Sequence, residues 1–75
     1  MALKDWRLER KEGNFSTYIN KENKSHRVHL RYNPITSEWQ IYATDGSVEI
    51  WESEKYSDEE KKEAKKELNR YMKKN

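Results

Sequence analysis

Seven residues, some of them basic and the others aromatic, could together form one binding surface. They fall on the less apolar side of alternating segments, and they are Arg7, Tyr18, Arg27, His29, Arg31, Tyr42 and Trp51. Arginine contacts phosphates while flat rings stack on bases, which is the chemistry of single-stranded nucleic acid binding. The same residue types are enriched at protein interfaces. We therefore expect a small non-catalytic protein-interaction module that self-associates, as a homodimer for example, through this face or an edge strand; single-stranded DNA or RNA is the alternative partner.

Trp51 is the most informative of the seven, because a tryptophan is costly to leave in water and this one is out of phase with Val48 and Ile50. Three other arrangements are open. Trp51 could pair across strands with Tyr42 and stiffen an exposed face, a bulge could turn it inward, or it could lie in a dimer interface. Glu9 and Glu49 on the same face would repel phosphates.

Neither a metal site nor a catalytic site is predicted. His26 and His29 point to opposite faces of a strand, so they cannot share a metal ion. The chain has no cysteine and two glycines, which excludes a thiolate site and a phosphate-cradling loop, and no serine has a recognisable histidine partner. We expect no enzyme activity, cofactor or small-molecule substrate. The like-charged neighbours Arg27 and Arg31 should favour a neutral His29.

The elements that position these residues are predicted from turn signals at intervals of roughly ten residues. The signals are Gly13-Asn14, the polar run 20–24, Asn33-Pro34 and Asp45-Gly46, and the last suits a type I′ hairpin. They separate five short segments within residues 3–53. This pattern is typical of an antiparallel meander.

Period-two alternation gives each segment an apolar face. The predicted inner residues are Trp6, Leu8, Phe15, Thr17, Ile19, Val28, Leu30, Tyr32, Trp39, Ile41, Ala43, Val48 and Ile50. The seven candidate residues lie between them and are expected on the outer face.

A helix is predicted over residues 58–73. Ser57 and Glu60 form a Ser-x-x-Glu capping box, and an apolar stripe follows at helical spacing, made of Ala64, Leu68, Tyr71 and Met72. One helix with a narrow stripe can cover only one face of the sheet. The fold class is therefore α+β, a five-stranded antiparallel sheet packed on one C-terminal α-helix.

Length and composition favour one thin-cored domain over residues 1–75. Leu, Ile, Val and Phe make up 11 of the 75 residues, below the roughly 20% that warns of disorder. Three Trp, five Tyr and a net charge of only +2 argue for a folded chain instead. No apolar signal peptide or membrane span is recognisable, so we expect a cytoplasmic protein that does not interact with membranes.

The charge is unevenly distributed along the chain. Residues 1–34 carry 8 basic and 4 acidic side chains, residues 35–60 carry 1 and 8, and residues 61–75 carry 7 and 2. A near-neutral total thus contains strong local fields. Such fields can steer a charged partner or let two copies dock with opposite charges facing each other.

Overall fold

The computed structural model describes residues 5–75 and shows an antiparallel sheet packed on one C-terminal helix. The α+β class is therefore confirmed. The elements are β1 (Trp6–Glu12), β2 (Phe15–Asn20), β3 (His26–Asn33), β4 (Glu38–Asp45), β5 (Val48–Glu52), β6 (Tyr56–Ser57), a 3₁₀ turn (Asp58–Glu60) and α1 (Lys61–Lys74). The predicted strand region began at residue 3, and residues 1–4 lie outside the described part.

The strands follow each other in the order β1-β2-β3-β4-β5, as a meander requires. The two-residue strand β6 was not predicted because it is too short to show alternation; it pairs with the start of β4 and leads into the helix. The hairpin turns use Gly13 (φ 55°) and Gly46 (φ 64°), where a side chain would strain the backbone. The type I′ prediction for the last hairpin is wrong, since Gly46 has positive φ but Ser47 does not, and type I′ needs both.

The helix is close to its predicted range, with one turn of 3₁₀ helix at its start. The backbone N–H of Ser57 donates to Glu60 Oε1 at 2.9 Å, the reciprocal half of the predicted capping box. All four residues of the predicted stripe are buried: Ala64, Leu68, Tyr71 and Met72. They pack on the strands to form the core with Trp6, Val28, Leu30, Trp39, Ile41 and Ala43.

The helix packs mainly against β3, β4 and β6, and parts of the edge strands β1 and β5 extend beyond it. Leu8 on β1 and Val48 on β5 lie on the helix side as predicted, but they are 50% and 61% exposed because the helix does not reach them. Ile50 on β5, also predicted to face inward, is 50% exposed. Within residues 5–75, no helix is long and apolar enough to cross a membrane.

The face assignment of β2 is the main error of the sequence prediction. Tyr18 lies opposite Val28 and Ser16 opposite Leu30, so Ser16, Tyr18 and Asn20 face the helix. Phe15, Thr17 and Ile19 face the other way.

The physical reason lies in the polar bonds at the end of β2. Asn20 accepts from the backbone N–H groups of Glu22 and Asn23 at 2.8 and 3.0 Å and donates to the Asn75 carbonyl at 3.3 Å. The Asn20 side chain thus bonds the backbone of a turn and the C-terminus of the helix at the same time. For this reason the polar Asn20 faces inward, whereas the apolar pattern of β2 predicted that Ile19 would.

Candidate functional site: the open face of the sheet

The face of the sheet that α1 does not cover, called the open face here, is organised in rows of residues paired across the strands. The His29 row runs from β1 to β5 through Arg10, Thr17, His29, Tyr42 and Glu52. The Arg27 row runs in the same direction through Arg7, Ile19, Arg27, Thr44 and Glu49. Each row therefore begins with an arginine and ends with a glutamate.

His29 is held from both sides by threonine hydroxyls. Its Nδ1 is 2.9 Å from Thr17 Oγ1 on β2, and its Nε2 is 3.1 Å from Thr44 Oγ1 on β4. Burial lowers the pKa of His29 below its usual value, and the nearby charge of Arg27 lowers it further. The imidazole is therefore neutral near pH 7, and one ring nitrogen donates while the other accepts.

Three rings form a stack across the middle of the open face. Phe15 on β2 stacks on His29 with ring centroids 5.7 Å apart, and His29 stacks on Tyr42 of β4 at 4.6 Å. The Arg31 guanidinium lies over the Tyr42 ring, 5.3 Å from its centroid. This stack joins β2, β3 and β4 through side chains and makes the centre of the face rigid.

A two-point ion pair crosses the neighbouring strand. Arg27 on β3 donates through Nε and a terminal nitrogen to the two carboxylate oxygens of Glu9 on β1, at 2.8 and 3.2 Å. The bond lowers the pKa of Glu9 and raises that of Arg27. Ile19 on β2 lies between these strands and is only 3% exposed, although it faces away from the helix. The aliphatic stems of neighbouring arginines can provide this cover.

Glu9 reaches Arg27 because β1 contains a bulge. The pairing of β1 with β2 shifts between Leu8 and Arg10, which leaves Glu9 as the extra residue. A bulge re-aims the side chains that follow it. Arg10 and Glu12 consequently lie on the open face, whereas unbroken alternation from Trp6 would have placed them inside.

Five of the seven predicted site residues lie together on the open face: Arg7, Arg27, His29, Arg31 and Tyr42. Tyr18 does not, because the faces of β2 are reversed, and it is half-buried against the core beneath the helix. Trp51 does not either. The pairing of β4 with β5 shifts between Ala43 and Thr44, which places Trp51 opposite the buried Ala43 on the helix side. The bulge alternative was therefore the correct one for Trp51.

The sequence prediction missed Phe15, Thr17, Ile19 and Thr44 as members of the open face. One available signal was the two-residue loop Gly13-Asn14, because the residues that flank such a loop are paired and share a face. Glu12 and Phe15 are these residues. A charged Glu12 therefore places Phe15 on the exposed side, and the rest of β2 follows by alternation.

The charges on the open face are separated by strand. Four arginines lie on β1 and β3, where Glu9 and Glu12 partly balance them: Arg7, Arg10, Arg27 and Arg31. β4 and β5 contribute three carboxylates and no cation: Glu38, Glu49 and Glu52. The open face is thus basic towards β1 and acidic towards β5.

His26 lies on the opposite face from His29, as strand alternation predicts. Its Nε2 shares a 2.7 Å hydrogen bond with the Tyr71 hydroxyl of the helix, and its ring contacts Trp6 edge-on at 4.9 Å. Burial lowers its pKa.

Comparison with protein families, with curated proteins and with solved structures gives no match to this chain. The functional interpretation therefore rests on the geometry of the open face.

Proposed function

We propose that this protein is a non-catalytic interaction module that forms a homodimer through its open face. The observation that carries the proposal is the polarity of the two rows. Both begin with an arginine on β1 and end with a glutamate on β5. A surface of this kind is complementary to itself when one copy is turned around.

The symmetry of the dimer follows from the sheet. A two-fold axis parallel to the strands and above β3 places β1 of one copy over β5 of the other, and keeps each row over itself. Arg10 then faces Glu52 of the second copy, and Arg7 faces Glu49 of the second copy. This is an isologous interface, in which the same surface serves both partners. Packed sheets keep their strands within about 30° of each other, which this arrangement respects.

Groups near such an axis meet their own copies, so like charges there would repel. Arg27 is already neutralised by Glu9, and the lowered pKa of His29 keeps its ring uncharged. Arg31 is displaced towards β4, over the Tyr42 ring. The centre of the face therefore offers side chains without net charge for contact, and the charges that pair lie at its margins.

The expected dimer is weak. Five strands spaced about 4.8 Å apart span only about 20 Å, so the interface belongs at the small end of known interfaces. Charge pairs at the rim mainly set orientation and association rate, while the stacked rings provide the contact area. Concentration-dependent association is therefore the appropriate observable.

Single-stranded nucleic acid is the competing partner. The open face brings together aromatic rings and arginines, the residue types that single-stranded binding uses, but Phe15, His29 and Tyr42 already stack on one another. Five carboxylates oppose the four arginines of the open face, however, and one arginine is committed to Glu9. Fluorescence anisotropy with a labelled oligonucleotide at low salt separates the two proposals. Strong binding that weakens steeply with salt and is lost in Arg31→Gln would favour nucleic acid.

The dimer is tested by charge reversal with sedimentation velocity over a wide concentration range. Arg7→Glu and Glu49→Arg should each weaken self-association, because each sets like charges opposite one another twice per dimer. An equimolar mixture of the two variants should associate again as a heterodimer, since every reversed charge then faces its opposite.

The matched control makes the same change of net charge as Arg7→Glu, but at a position outside the open face. Lys62→Glu lies on the exposed side of the helix and should self-associate like the unmodified chain. If the unmodified chain is monomeric at every concentration, or if Arg7→Glu alone self-associates as strongly as Lys62→Glu alone, the proposed interface is wrong.

A further inference from the structure

A cleft of about 180 Å³ lies on the helix side of the sheet, between α1 and strands β1 to β4. Its apolar lining includes Leu8, Leu30, Trp39 and Leu68. Leu8 is half exposed, so apolar surface remains open to water here. The cleft is on the opposite side of the sheet from the open face and does not depend on the proposed dimer.

The charges around the cleft have a single sign. Lys11 at the end of β1 and Lys61 and Lys65 on α1 line it, and no carboxylate of residues 5–75 does. Lys61 Nζ lies 5.0 Å from the Trp39 ring centroid, which places one cation directly above the apolar lining. Converging cations next to apolar surface favour an anion that also carries an apolar body.

Trp39 places an indole ring in the lining of the cleft. Its side chain lines the cleft and is 5% exposed, and its indole Nε1 has no hydrogen-bond acceptor among residues 5–75. A buried donor without an acceptor is destabilising and uncommon in folded proteins. The indole Nε1 of Trp6, which does not line the cleft, is equally buried and equally without an acceptor among the described residues. The case for a ligand therefore rests on the lysines and the apolar lining.

We infer that this cleft binds a small monocarboxylate with an apolar body, a short acyl or aryl acid. The lysines contact the carboxylate, and the apolar part packs against Leu30, Trp39 and Leu68. The volume is below the roughly 300 to 1,000 Å³ of sites for drug-sized ligands, which limits the ligand to a small molecule. Lys61 and Lys65 are one helical turn apart, so they can approach the same carboxylate.

The experiment is a titration followed by two-dimensional ¹H–¹⁵N NMR, with the Trp39 indole N–H as reporter. The probes are hexanoate, 1-hexanol and sulfate. Hexanoate has both a negative charge and an apolar body, 1-hexanol has only the apolar body, and sulfate has only the negative charge. Hexanoate should shift the Trp39 indole resonance and the amides of Tyr18 and Leu68 in a saturable way, and the other two probes should shift them far less.

Charge removal tests the role of the lysines without touching the apolar lining. Lys61→Gln with Lys65→Gln should weaken hexanoate binding by about tenfold. The matched pair Lys62→Gln with Lys66→Gln removes two lysines of the same helix that do not line the cleft, and should change the affinity less than about twofold.

Each remaining outcome would overturn the inference. Equal binding of 1-hexanol would show an apolar cleft that does not recognise charge. Equal binding of sulfate, or equal weakening in the two variant pairs, would show a general attraction of anions to a basic helix. Absence of any saturable shift with hexanoate would mean that the cleft is not a carboxylate site.

Discussion

Trp51 stacks on Tyr71 of the C-terminal helix, with ring centroids 4.6 Å apart and an angle of 23° between the planes. The contact exists because of the bulge at Ile50, the extra residue of β5 opposite Ala43 and Thr44, which turns Trp51 to the helix side. It extends an aromatic cluster in which Tyr71 also contacts Trp6 and hydrogen-bonds His26. Trp51 therefore belongs to the fold rather than to the proposed contact face.

Trp51→Ala should destabilise the fold and leave the open face intact. Loss of a fully buried Trp side chain costs about 3 to 5 kcal/mol, and we expect about 2 to 3 kcal/mol for this half-buried one. Urea denaturation measures the change. Ile35→Ala is the control, since Ile35 is 92% exposed and its removal should change stability by less than about 0.5 kcal/mol. Equal effects of the two substitutions would contradict the stacked position of Trp51.

Ile19→Ala should lower the free energy of unfolding by about 2 to 4 kcal/mol, because Ile19 is buried although it lies on the open face. Ile50→Ala removes the same side chain from a half-exposed position on β5, and we expect a loss below about 1 kcal/mol. Denaturation of both variants under one set of conditions gives the comparison. A loss for Ile19→Ala no larger than that for Ile50→Ala would mean that neighbouring side chains do not cover Ile19.

Stability should fall as the pH drops below about 6.5. The pKa values of His26 and His29 are both lowered in the folded protein, chiefly by burial. Between the lowered values and the usual value, the unfolded chain binds more protons than the folded one, so acid favours unfolding. The contribution of the two histidines to the free energy of unfolding is complete above about pH 7, and it is lost as the pH falls towards their lowered pKa values. Denaturation at several pH values between about 7.5 and 5 measures it.

His29→Gln should reduce this pH dependence, because it removes one of the two titrating groups and retains hydrogen-bonding capacity towards Thr17 and Thr44. The His26 contribution remains in this variant. An NMR titration that gives His29 a pKa above its usual value would contradict its neutral state, and with it the lack of repulsion at the proposed dimer axis.

The Glu9 carboxylate should titrate below its usual range, and Arg27→Gln should move its pKa back up. Arg27 is the main cause of the shift through its two-point hydrogen bond. Arg10→Gln is the matched control, because Arg10 pairs with Glu12 instead. NMR of the side-chain carboxyl carbon measures both. If Arg10→Gln moved the Glu9 pKa as far as Arg27→Gln, the specific pair would be excluded as the cause.

Features that depend on local sequence could be predicted, and long-range pairing could not. The helix stripe of Ala64, Leu68, Tyr71 and Met72 was confirmed because a helix has one repeat that nothing interrupts. Strand positions were also confirmed, because turns are marked by glycine, asparagine and proline. The predicted face was wrong for Tyr18 and for Trp51. At Trp51 the cause is a bulge, which adds one residue and reverses the side chains that follow it. At Tyr18 the cause is Asn20, which takes an inward position on β2 to bond a turn and the helix C-terminus.

The sequence by itself determined an antiparallel sheet under one helix, with an aromatic and arginine-bearing side left uncovered. The tertiary structure alone decided which residues lie on that side. Strand pairing placed an arginine at one end of each row and a glutamate at the other, and joined Glu9 to Arg27 across an intervening strand. Alternation within one strand cannot contain this information, since register between strands is set by turns, bulges and the packing of the helix.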